Sequence, residues 1–306
     1  MVGYEKNAEG VSVATLWKNG IAQNLTDGTN DAIAYSVYVS GGDVYVVGRE
    51  ADASKRDVAI LWKNGIAQNL SDGPGSAYSV YVSGGDVYVV GQGVDASKGY
   101  VATLWKNGIA QNLSDVTSTV YISSVYVSGS DVYVVGSEYN DNGEGNYFAK
   151  LWKNGIPQNL TDGINAAFAN SVYVSGEDVY VGGSENNVAV LWKNGVIQNI
   201  GETNSSEIRS VYVSGSNVYA TGIAEFAGKF SAVLWRNLVK QNLSSELPWA
   251  IGYSVYVLEN NVYVAGSGIN TGSGTNTVAK LWNNGVVQDL TDGTHEAAAY
   301  SVFVAK

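Results

Sequence analysis

Few side chains in this chain could carry out covalent chemistry. The sequence holds one histidine, His295, and no cysteine, which removes the groups that most nucleophilic mechanisms and most metal sites need. It contains no phosphate-binding loop, dinucleotide fingerprint, zinc-ligand spacing or nucleophile elbow. Carboxylates are plentiful, and two of them at the right separation suffice to cleave a glycosidic bond. We therefore expect a protein without catalytic activity and without a cofactor; the alternative is a carboxylate-dependent glycosidase or lyase.

A second set of residues has the side-chain types that bind ligands. One residue stands directly before each copy of a recurring tetrapeptide, Ser-Val-Tyr-Val, and before its last copy, Ser-Val-Phe-Val. In chain order these residues are Tyr35, Tyr78, Ser123, Asn170, Arg209, Tyr253 and Tyr300. Aromatic rings and guanidinium groups are typical anchors for sugars and peptides. Tyrosines that only fill the top of a core would give the same pattern, so both interpretations stay open.

Two residues are unique within an otherwise copied sequence. Trp249 is the one tryptophan outside the repeats, and His295 is the one histidine. Both fall in segments that we predict to lead into neighbouring repeats, and Arg209 belongs to the repeat before them. The predicted ligand site consists of Arg209, Trp249, Tyr253, His295 and Tyr300, extended by Tyr35, Tyr78 and Asn170. A core-capping tryptophan and an idle surface histidine are the alternative.

Acidic residues give two candidates for a cation site. A glutamate follows a repeated glycine by two positions in four places, at Glu5, Glu50, Glu138 and Glu185. They could form a partial ring that attracts cations, or a solvated charged rim. Glu138, Asn140 and Asn142 also imitate the start of a calcium-binding loop, with oxygen ligands at alternate positions. Ala149 stands where that loop needs a bidentate glutamate, so the sequence leaves metal binding open.

These residues are attached to a repeated β-hairpin. Residues 36–48 read Ser-Val-Tyr-Val-Ser-Gly-Gly-Asp-Val-Tyr-Val-Val-Gly. The strict alternation predicts two strands, and the glycines suit a two-residue turn. If Ser40 pairs with Asp43, then Tyr38 lies opposite Tyr45, and one face is tyrosine while the other is valine. We expect the tyrosine face of each sheet to pack on the valine face of the next sheet.

A second hairpin follows the first in every repeat. Its signature is Leu-Trp-Lys-Asn-Gly, and the Asn-Gly pair at residues 19–20 strongly indicates a type I′ turn, whose two central residues need positive φ. The glycine is replaced in one copy by Leu238. The tryptophan recurs seven times at intervals of 40 to 47 residues, at Trp17, Trp62, Trp105, Trp152, Trp192, Trp235 and Trp282.

Four strands per repeat and seven copies resemble the seven-bladed β-propellers of the highly repetitive bacterial type. The sequence lacks the motifs of the WD40 and kelch propellers. The resemblance implies an all-β fold of seven four-stranded antiparallel blades in a single domain, residues 1–306. We letter the strands of each blade a to d from the centre of the ring outward, so that Ser-Val-Tyr-Val is strand a and Leu-Trp belongs to strand c. The resemblance also implies one blade that closes the ring with strand a from residues 301–305 and strands b to d from residues 1–26. Four residues equivalent to 42–45 have no counterpart in that blade.

All length variation falls on the connections between strands b and c and between strands d and a, which share one face of the ring, here called the variable-loop face. Loops on a rigid scaffold commonly carry binding. We therefore expect a non-catalytic binding module or repeat scaffold that recognises a glycan or a protein through this face. A purely structural or engineered scaffold without a ligand is the alternative, and neutral drift of the loops would fit it.

Charge and hydropathy limit the partners. Acidic residues outnumber basic ones 28 to 17, with a net charge of −11 and no basic cluster, so we expect no nucleic-acid partner. No run of 18 apolar residues and no signal-peptide pattern occurs, so we expect no membrane association. The abundance of glycine, serine, threonine, asparagine and tyrosine, with few lysines, favours an extracellular or periplasmic bacterial protein. We also expect a monomer.

Overall fold

A computed structural model describes residues 1–95, 99–114, 119–140, 146–200, 205–272 and 274–305, apart from the side chains of Asp95, Asn140 and Asn199. Within these residues the chain forms twenty-eight strands and no helix, arranged as seven four-stranded antiparallel sheets in a ring. The predicted seven-bladed β-propeller is confirmed.

The strands follow one another in a fixed order, from strand a at the ring's centre to strand d at its edge. The closing blade contains β1 (Val2–Lys6), β2 (Ser12–Lys18) and β3 (Ile21–Asn24). Blades 1 to 3 are β4 (Ala32–Ser40), β5 (Asp43–Ala51), β6 (Asp57–Lys63), β7 (Ile66–Asn69); β8 (Ser76–Ser83), β9 (Asp86–Asp95), β10 (Gly99–Lys106), β11 (Ile109–Asn112); β12 (Val120–Ser128), β13 (Asp131–Asn140), β14 (Asn146–Lys153) and β15 (Ile156–Asn159).

Blades 4 to 6 repeat this arrangement, and a last strand returns to the closing blade. They are β16 (Ala167–Ser175), β17 (Asp178–Glu185), β18 (Val188–Lys193), β19 (Val196–Asn199); β20 (Ser206–Ser214), β21 (Asn217–Phe226), β22 (Lys229–Arg236), β23 (Val239–Asn242); β24 (Trp249–Leu258), β25 (Asn261–Ile269), β26 (Thr277–Asn283) and β27 (Val286–Asp289). The final strand, β28 (Ala297–Ser301), pairs with β1, so both terminal segments share one blade as predicted.

The two hairpins have the predicted register and turn geometry. Ser40 pairs with Asp43, and Tyr38 lies opposite Tyr45. In the turn between strands c and d, Asn64 and Gly65 have φ values of 52° and 82°. Both values lie in the left-handed region that a type I′ turn requires and that asparagine and glycine tolerate best.

The tyrosine face of each blade packs on the valine face of the next blade, as predicted. Tyr45 and Leu61 of blade 1 form one hydrophobic cluster with Val82, Val89 and Trp105 of blade 2. The same combination recurs between the following blades. The seven repeated tryptophans are at most 2% exposed, so each blade inserts a large aromatic side chain beneath the tyrosine face of its neighbour.

A closed ring of hydrogen bonds joins the innermost strands. The serine that begins each Ser-Val-Tyr-Val copy accepts a hydrogen bond from the backbone N–H of the first valine in the next copy, at distances of 3.0 to 3.4 Å. The donors and acceptors are Val80 and Ser36, Val125 and Ser79, Val172 and Ser124, Val211 and Ser171, Val255 and Ser210, Val302 and Ser254, and Val37 and Ser301. The ring therefore has no break at the closing blade.

Two strand boundaries differ from the prediction. Strand a begins about four residues before the repeated serine, at Ala32 in blade 1, because strand b continues past its glycine and pairs with these residues. In the closing blade strand a is 297–301 instead of 301–305. Residues 302–305 form no strand; in blade 1 the equivalents of 303–305 pair with residues 43–45, which have no counterpart in this sequence, and Val302 stands opposite Met1.

The serine ring can be tested by removing one acceptor. Ser171 is buried and accepts a hydrogen bond of 3.0 Å from Val211 N. Ser171→Ala leaves this buried N–H without a partner, and we expect a loss of about 1 to 3 kcal/mol in the free energy of unfolding. Chemical denaturation measures it. Ser128→Ala, at the far end of a strand a and outside the serine ring, is the control; an equal effect in both variants would contradict the role of the ring.

A second test concerns the turn in which leucine replaces glycine. Leu238 has a φ of 70°, while Gly195 at the same position of blade 4 has a φ of 76°. A side chain in the left-handed region costs about 1 to 2 kcal/mol, so Leu238→Gly should stabilise the protein by about 1 kcal/mol. Gly195→Leu should destabilise it by a similar amount. Thermal unfolding of both variants decides the matter, and a lower melting temperature for Leu238→Gly would refute the assignment of strain.

Candidate functional site

A cup lies at the centre of the variable-loop face. Its volume is about 400 Å³, and its wall consists largely of the residues that precede the repeated serines. The serines themselves form its floor. Both sets belong to strand a, which places one wall residue and one floor residue of each blade around the ring axis.

One half of the wall is an arc of tyrosines. The ring centroids of Tyr78 and Tyr35 are 5.5 Å apart, those of Tyr35 and Tyr300 are 5.7 Å apart, and those of Tyr300 and Tyr253 are 4.8 Å apart. Arg49 Nε donates a hydrogen bond to the Tyr35 hydroxyl at 3.1 Å and its guanidinium pairs with Asp57. The arc is therefore a continuous aromatic surface.

The other half of the wall is polar. Asn170 Nδ2 donates hydrogen bonds to Glu207 Oε1 at 2.7 Å and to the Ile208 carbonyl at 2.8 Å in the next blade. Arg209 forms an ion pair of 2.8 Å with the same glutamate, and its side chain is 41% exposed. Ser123 completes this half. A guanidinium carries five N–H donors, so the pair with Glu207 orients Arg209 without using all of them.

Burial controls the ionisation of the aromatic wall. Desolvation raises the pKa values of Tyr78, Tyr253 and Tyr300 above the ordinary tyrosine range, and the neighbouring Tyr253 raises that of Tyr300 further. The hydroxyls are therefore neutral at physiological pH. They offer hydrogen-bond donors and acceptors but no charge.

An aromatic collar encircles the channel, formed by the residue two positions after each repeated serine of strand a. Each ring lies 4.6 to 5.0 Å from the next ring, centroid to centroid, in a closed circuit of Tyr38, Tyr81, Tyr126, Tyr173, Tyr212, Tyr256 and Phe303. Burial raises the pKa of Tyr38, and the hydroxyls of Tyr126 and Tyr212 across the ring contribute to the rise. Because the seven rings form a closed circuit around the axis, the collar constricts the channel beneath the cup.

The structure assembles six of the eight predicted ligand-site residues. Tyr35, Tyr78, Asn170, Arg209, Tyr253 and Tyr300 all line the cup. Trp249 and His295 do not: Trp249 begins β24 and pairs with Ile269, and His295 precedes β28, with its Nδ1 3.1 Å from Thr294 Oγ1. Both lie upstream of the wall because strand a starts earlier than the sequence pattern indicated. A role in binding stays a prediction for all eight residues.

The structure shows different surroundings for the predicted acidic residues. Burial raises the pKa values of Glu5 and Glu50, and Glu138 pairs with Lys150 on the adjacent strand. Asn142 and the side chain of Asn140 lie outside what the structure describes. Among the residues that the structure does describe, no group of three or more histidine, aspartate or glutamate side chains could hold a metal ion.

Sequence reasoning missed the floor of the cup and the residues that orient its polar half. The repeated serine was interpreted only as the start of a strand, although a polar residue kept in seven copies beside apolar ones was a signal of a specific hydrogen bond. Arg49 reaches Tyr35 across the hairpin of blade 1, and Glu207 pairs with Arg209 two residues along β20. What the sequence did not signal is that Glu207 also accepts a hydrogen bond from Asn170 of the preceding blade.

No helix of the described part of the chain has the length and apolarity to cross a membrane. No protein-family description matches the chain, and no curated protein matches it by sequence. The chain does match solved structures by shape.

Several of the matched structures are peptidases. A puromycin-hydrolysing peptidase from Mycobacterium tuberculosis superposes with a TM-score of 0.62 at 11% identity, over 94% of this chain and 53% of that one. An acylaminoacyl peptidase from Pyrococcus horikoshii gives 0.53 at 13% identity, over 95% and 53%. The β-propeller domain of the Trilobed protease from Pyrococcus furiosus gives 0.53 at 13% identity, over 96% and 99%; it is described as having an open velcro topology, whereas here β28 and β1 pair.

At these identities the similarity establishes the fold alone, and the chain spans about half the length of the first two peptidases. The comparison nevertheless contradicts the predicted function, a self-contained glycan- or protein-binding module or scaffold, because the matched proteins are peptidases and a protease propeller domain. The prediction failed because it assigned a ligand from loop variation, which shows where a surface diverges but carries no information about a partner.

Ionisation of the buried tyrosines should limit stability at high pH. Because folding raises the pKa values of Tyr78, Tyr81, Tyr253 and Tyr300, their contribution is complete below about pH 10 and is lost as pH rises further. We expect much of the phenolate absorbance to appear together with cooperative unfolding. The same absorbance titration of the chain unfolded in concentrated denaturant is the reference. Complete reversible titration near pH 10 with the fold intact would contradict the burial of these hydroxyls.

Proposed function

We propose that this chain is the propeller part of a peptidase and that its cup receives a segment of the peptide substrate. The observation that carries the proposal is the two-sided cup, in which an aromatic arc faces a polar half that contains an oriented guanidinium. The matched peptidases, of which a propeller of this size covers about half, support the assignment.

The size and lining of the cup fit a short peptide segment. Binding sites for small ligands commonly have volumes of about 300 to 1,000 Å³, and this cup has about 400 Å³. The tyrosine arc offers a flat surface on which an aromatic or proline side chain stacks. On the opposite side Arg209 donates to a backbone carbonyl or a carboxylate.

The collar gives the bound segment a defined depth. Its seven rings lie directly beneath the serine floor, so a peptide that enters from the variable-loop face stops at the serines. Serine hydroxyls that already accept a backbone N–H can still donate to a carbonyl of the peptide. The cup therefore holds a side chain or a chain end and does not pass a peptide through the ring.

In this assignment hydrolysis belongs to a separate catalytic unit. The sequence has one histidine and no cysteine, and the histidine lies outside the cup. The propeller selects and orients the peptide, which lowers the entropic cost of presenting a peptide bond to a nucleophile elsewhere.

The test is peptide binding by two matched arginine variants of blade 5. Arg209→Gln removes the charge in the cup, whereas Arg236→Gln removes one beside Tyr219 at the end of β22, on the opposite face. With a fluorescent library of short peptides that contain an aromatic or proline residue, we expect Arg209→Gln to weaken binding by about 2 kcal/mol, roughly thirtyfold. Arg236→Gln should bind as the parent does.

Loss of the aromatic surface should have a similar effect. Tyr35→Leu interrupts the arc at its centre, and circular dichroism checks that the ring is intact. Equal affinity in all variants, or no peptide binding by the parent chain, would refute the proposal.

A further inference from the structure

The wall of the cup is lowest at blade 3. Its residue there is Ser123, which has the smallest side chain of the seven wall residues. At this point Tyr121 and Ile122 also line the cup, whereas among the described residues every other blade contributes only its wall residue and its serine. The cup therefore opens outward over blade 3.

Elsewhere the described residues form a continuous wall. The tyrosine rings of the arc contact one another from Tyr78 to Tyr253. In the polar half, Glu207 accepts a hydrogen bond from Asn170 and pairs with Arg209, which joins the wall residues of blades 4 and 5. A peptide that fills the cup from the variable-loop face thus has its most open path over Ser123.

Four aromatic side chains lie along this path and are here called the aromatic patch. They are Tyr121 of β12, Tyr139 of β13, Tyr147 of β14 and Phe168 of β16 in the next blade. The ring centroid of Tyr147 is 5.9 Å from that of Tyr121, 5.1 Å from that of Tyr139 and 5.0 Å from that of Phe168. Tyr121 is 46% exposed and the other three are half-buried. Since Tyr121 also lines the cup, the patch continues the surface of the cup.

The patch departs from the repeat. Tyr139 and Tyr147 stand opposite each other in strands b and c, and the residues at these two positions are not both aromatic in any other blade. The other pairs are Ala51 and Asp57, Val94 and Tyr100, Asn186 and Asn187, Glu225 and Phe230, Ile269 and Thr277, and Lys6 and Ser12. Six blades fold without an aromatic pair here, so the fold does not require one. Exposed aromatic clusters are typical of binding surfaces.

The spacing of cup and patch matches an extended peptide. In an extended chain alternate side chains lie on the same face, roughly 7 Å apart. The ring of Tyr147 lies 5.9 Å from the ring of Tyr121, which borders the cup. When one side chain of a peptide fills the cup, the side chain two positions away therefore lies over the patch.

We propose that the cup and the aromatic patch together select peptides in which two aromatic residues are separated by one residue. This inference rests on the proposed function and names the substrate class of the same site. One ring enters the cup, the backbone crosses Ser123, and the second ring stacks on Tyr147 and Phe168. Because the pattern is the same in both chain directions, it does not depend on which end of the peptide points outward.

Two capped, dye-labelled peptides serve as probes, measured by fluorescence anisotropy against the 306-residue chain. The first is Gly-Ser-Phe-Gly-Phe-Ser-Gly, and the second, Gly-Ser-Phe-Gly-Ser-Ser-Gly, has one phenylalanine. We expect the two-phenylalanine peptide to bind about tenfold more tightly, because its second ring gains aromatic contacts and loses exposed apolar surface.

Tyr147→Ser removes the ring that contacts the other three rings of the patch. It should cancel the tenfold gain and leave the affinity for the one-phenylalanine peptide unchanged. Tyr100→Ser is the matched control, since Tyr100 occupies the same position of strand c in blade 2 and is 66% exposed. In this variant the gain should persist.

A cross-linking measurement needs no substitution in the protein. With a benzophenone amino acid in place of one phenylalanine of the two-phenylalanine peptide, irradiation and mass spectrometry should find adducts on the strands that carry the patch as well as on those of the cup. Adducts on the cup alone would overturn the inference.

The outcomes separate this inference from the proposed function. If the one-phenylalanine peptide binds but the second phenylalanine adds nothing, or if the gain survives Tyr147→Ser, the inference fails and the proposed function stands. Loss of one-phenylalanine binding in Tyr147→Ser would place the first ring on the patch and also overturn the inference. If neither peptide binds the parent chain, both fail.

Discussion

The hydrogen bond between a serine hydroxyl and the next blade's backbone sets the geometry of the whole ring. Backbone pairing within a blade leaves the inner edge of strand a with polar groups that no sheet partner satisfies. The repeated serine satisfies one N–H of the next blade in each of the seven steps, including the step from Ser301 to Val37 that crosses the closing blade. Because the circuit closes, the seven blades must lie at nearly equal distances from the axis.

The cup and the collar are consequences of that spacing. Once the serines are fixed, the residue before each serine lies at the mouth of the channel. The aromatic residue two positions after each serine joins the collar. Rings only 4.6 to 5.0 Å apart are in contact with both neighbours, so the collar adds packing to the hydrogen bonds. The same repeat therefore builds the rigid floor and leaves one position per blade free to vary.

The two faces of the ring differ in how strongly the repeat constrains them. On the hairpin-turn face Asp43, Tyr45, Lys63 and Asn64 form a network that recurs almost unchanged, and any substitution there loses several contacts together. On the variable-loop face the wall residues contact one another across blades. A wall position can therefore change from tyrosine to asparagine or arginine while the serine beneath it keeps its bond, which allows a specific site on a symmetrical scaffold.

The sequence by itself determined the number of blades, the hairpin registers and the shared terminal blade, because alternation and Asn-Gly turns act over a few residues and were repeated often enough to be unambiguous. Most of the cup was also predictable, since Tyr35 and Arg209 occupy equivalent positions of one repeat. Only the tertiary structure decided that Trp249 and His295 lie outside the cup and that Glu207 links Arg209 to Asn170 of the preceding blade. These features depend on distances between blades, which the closed ring sets and which no local pattern encodes.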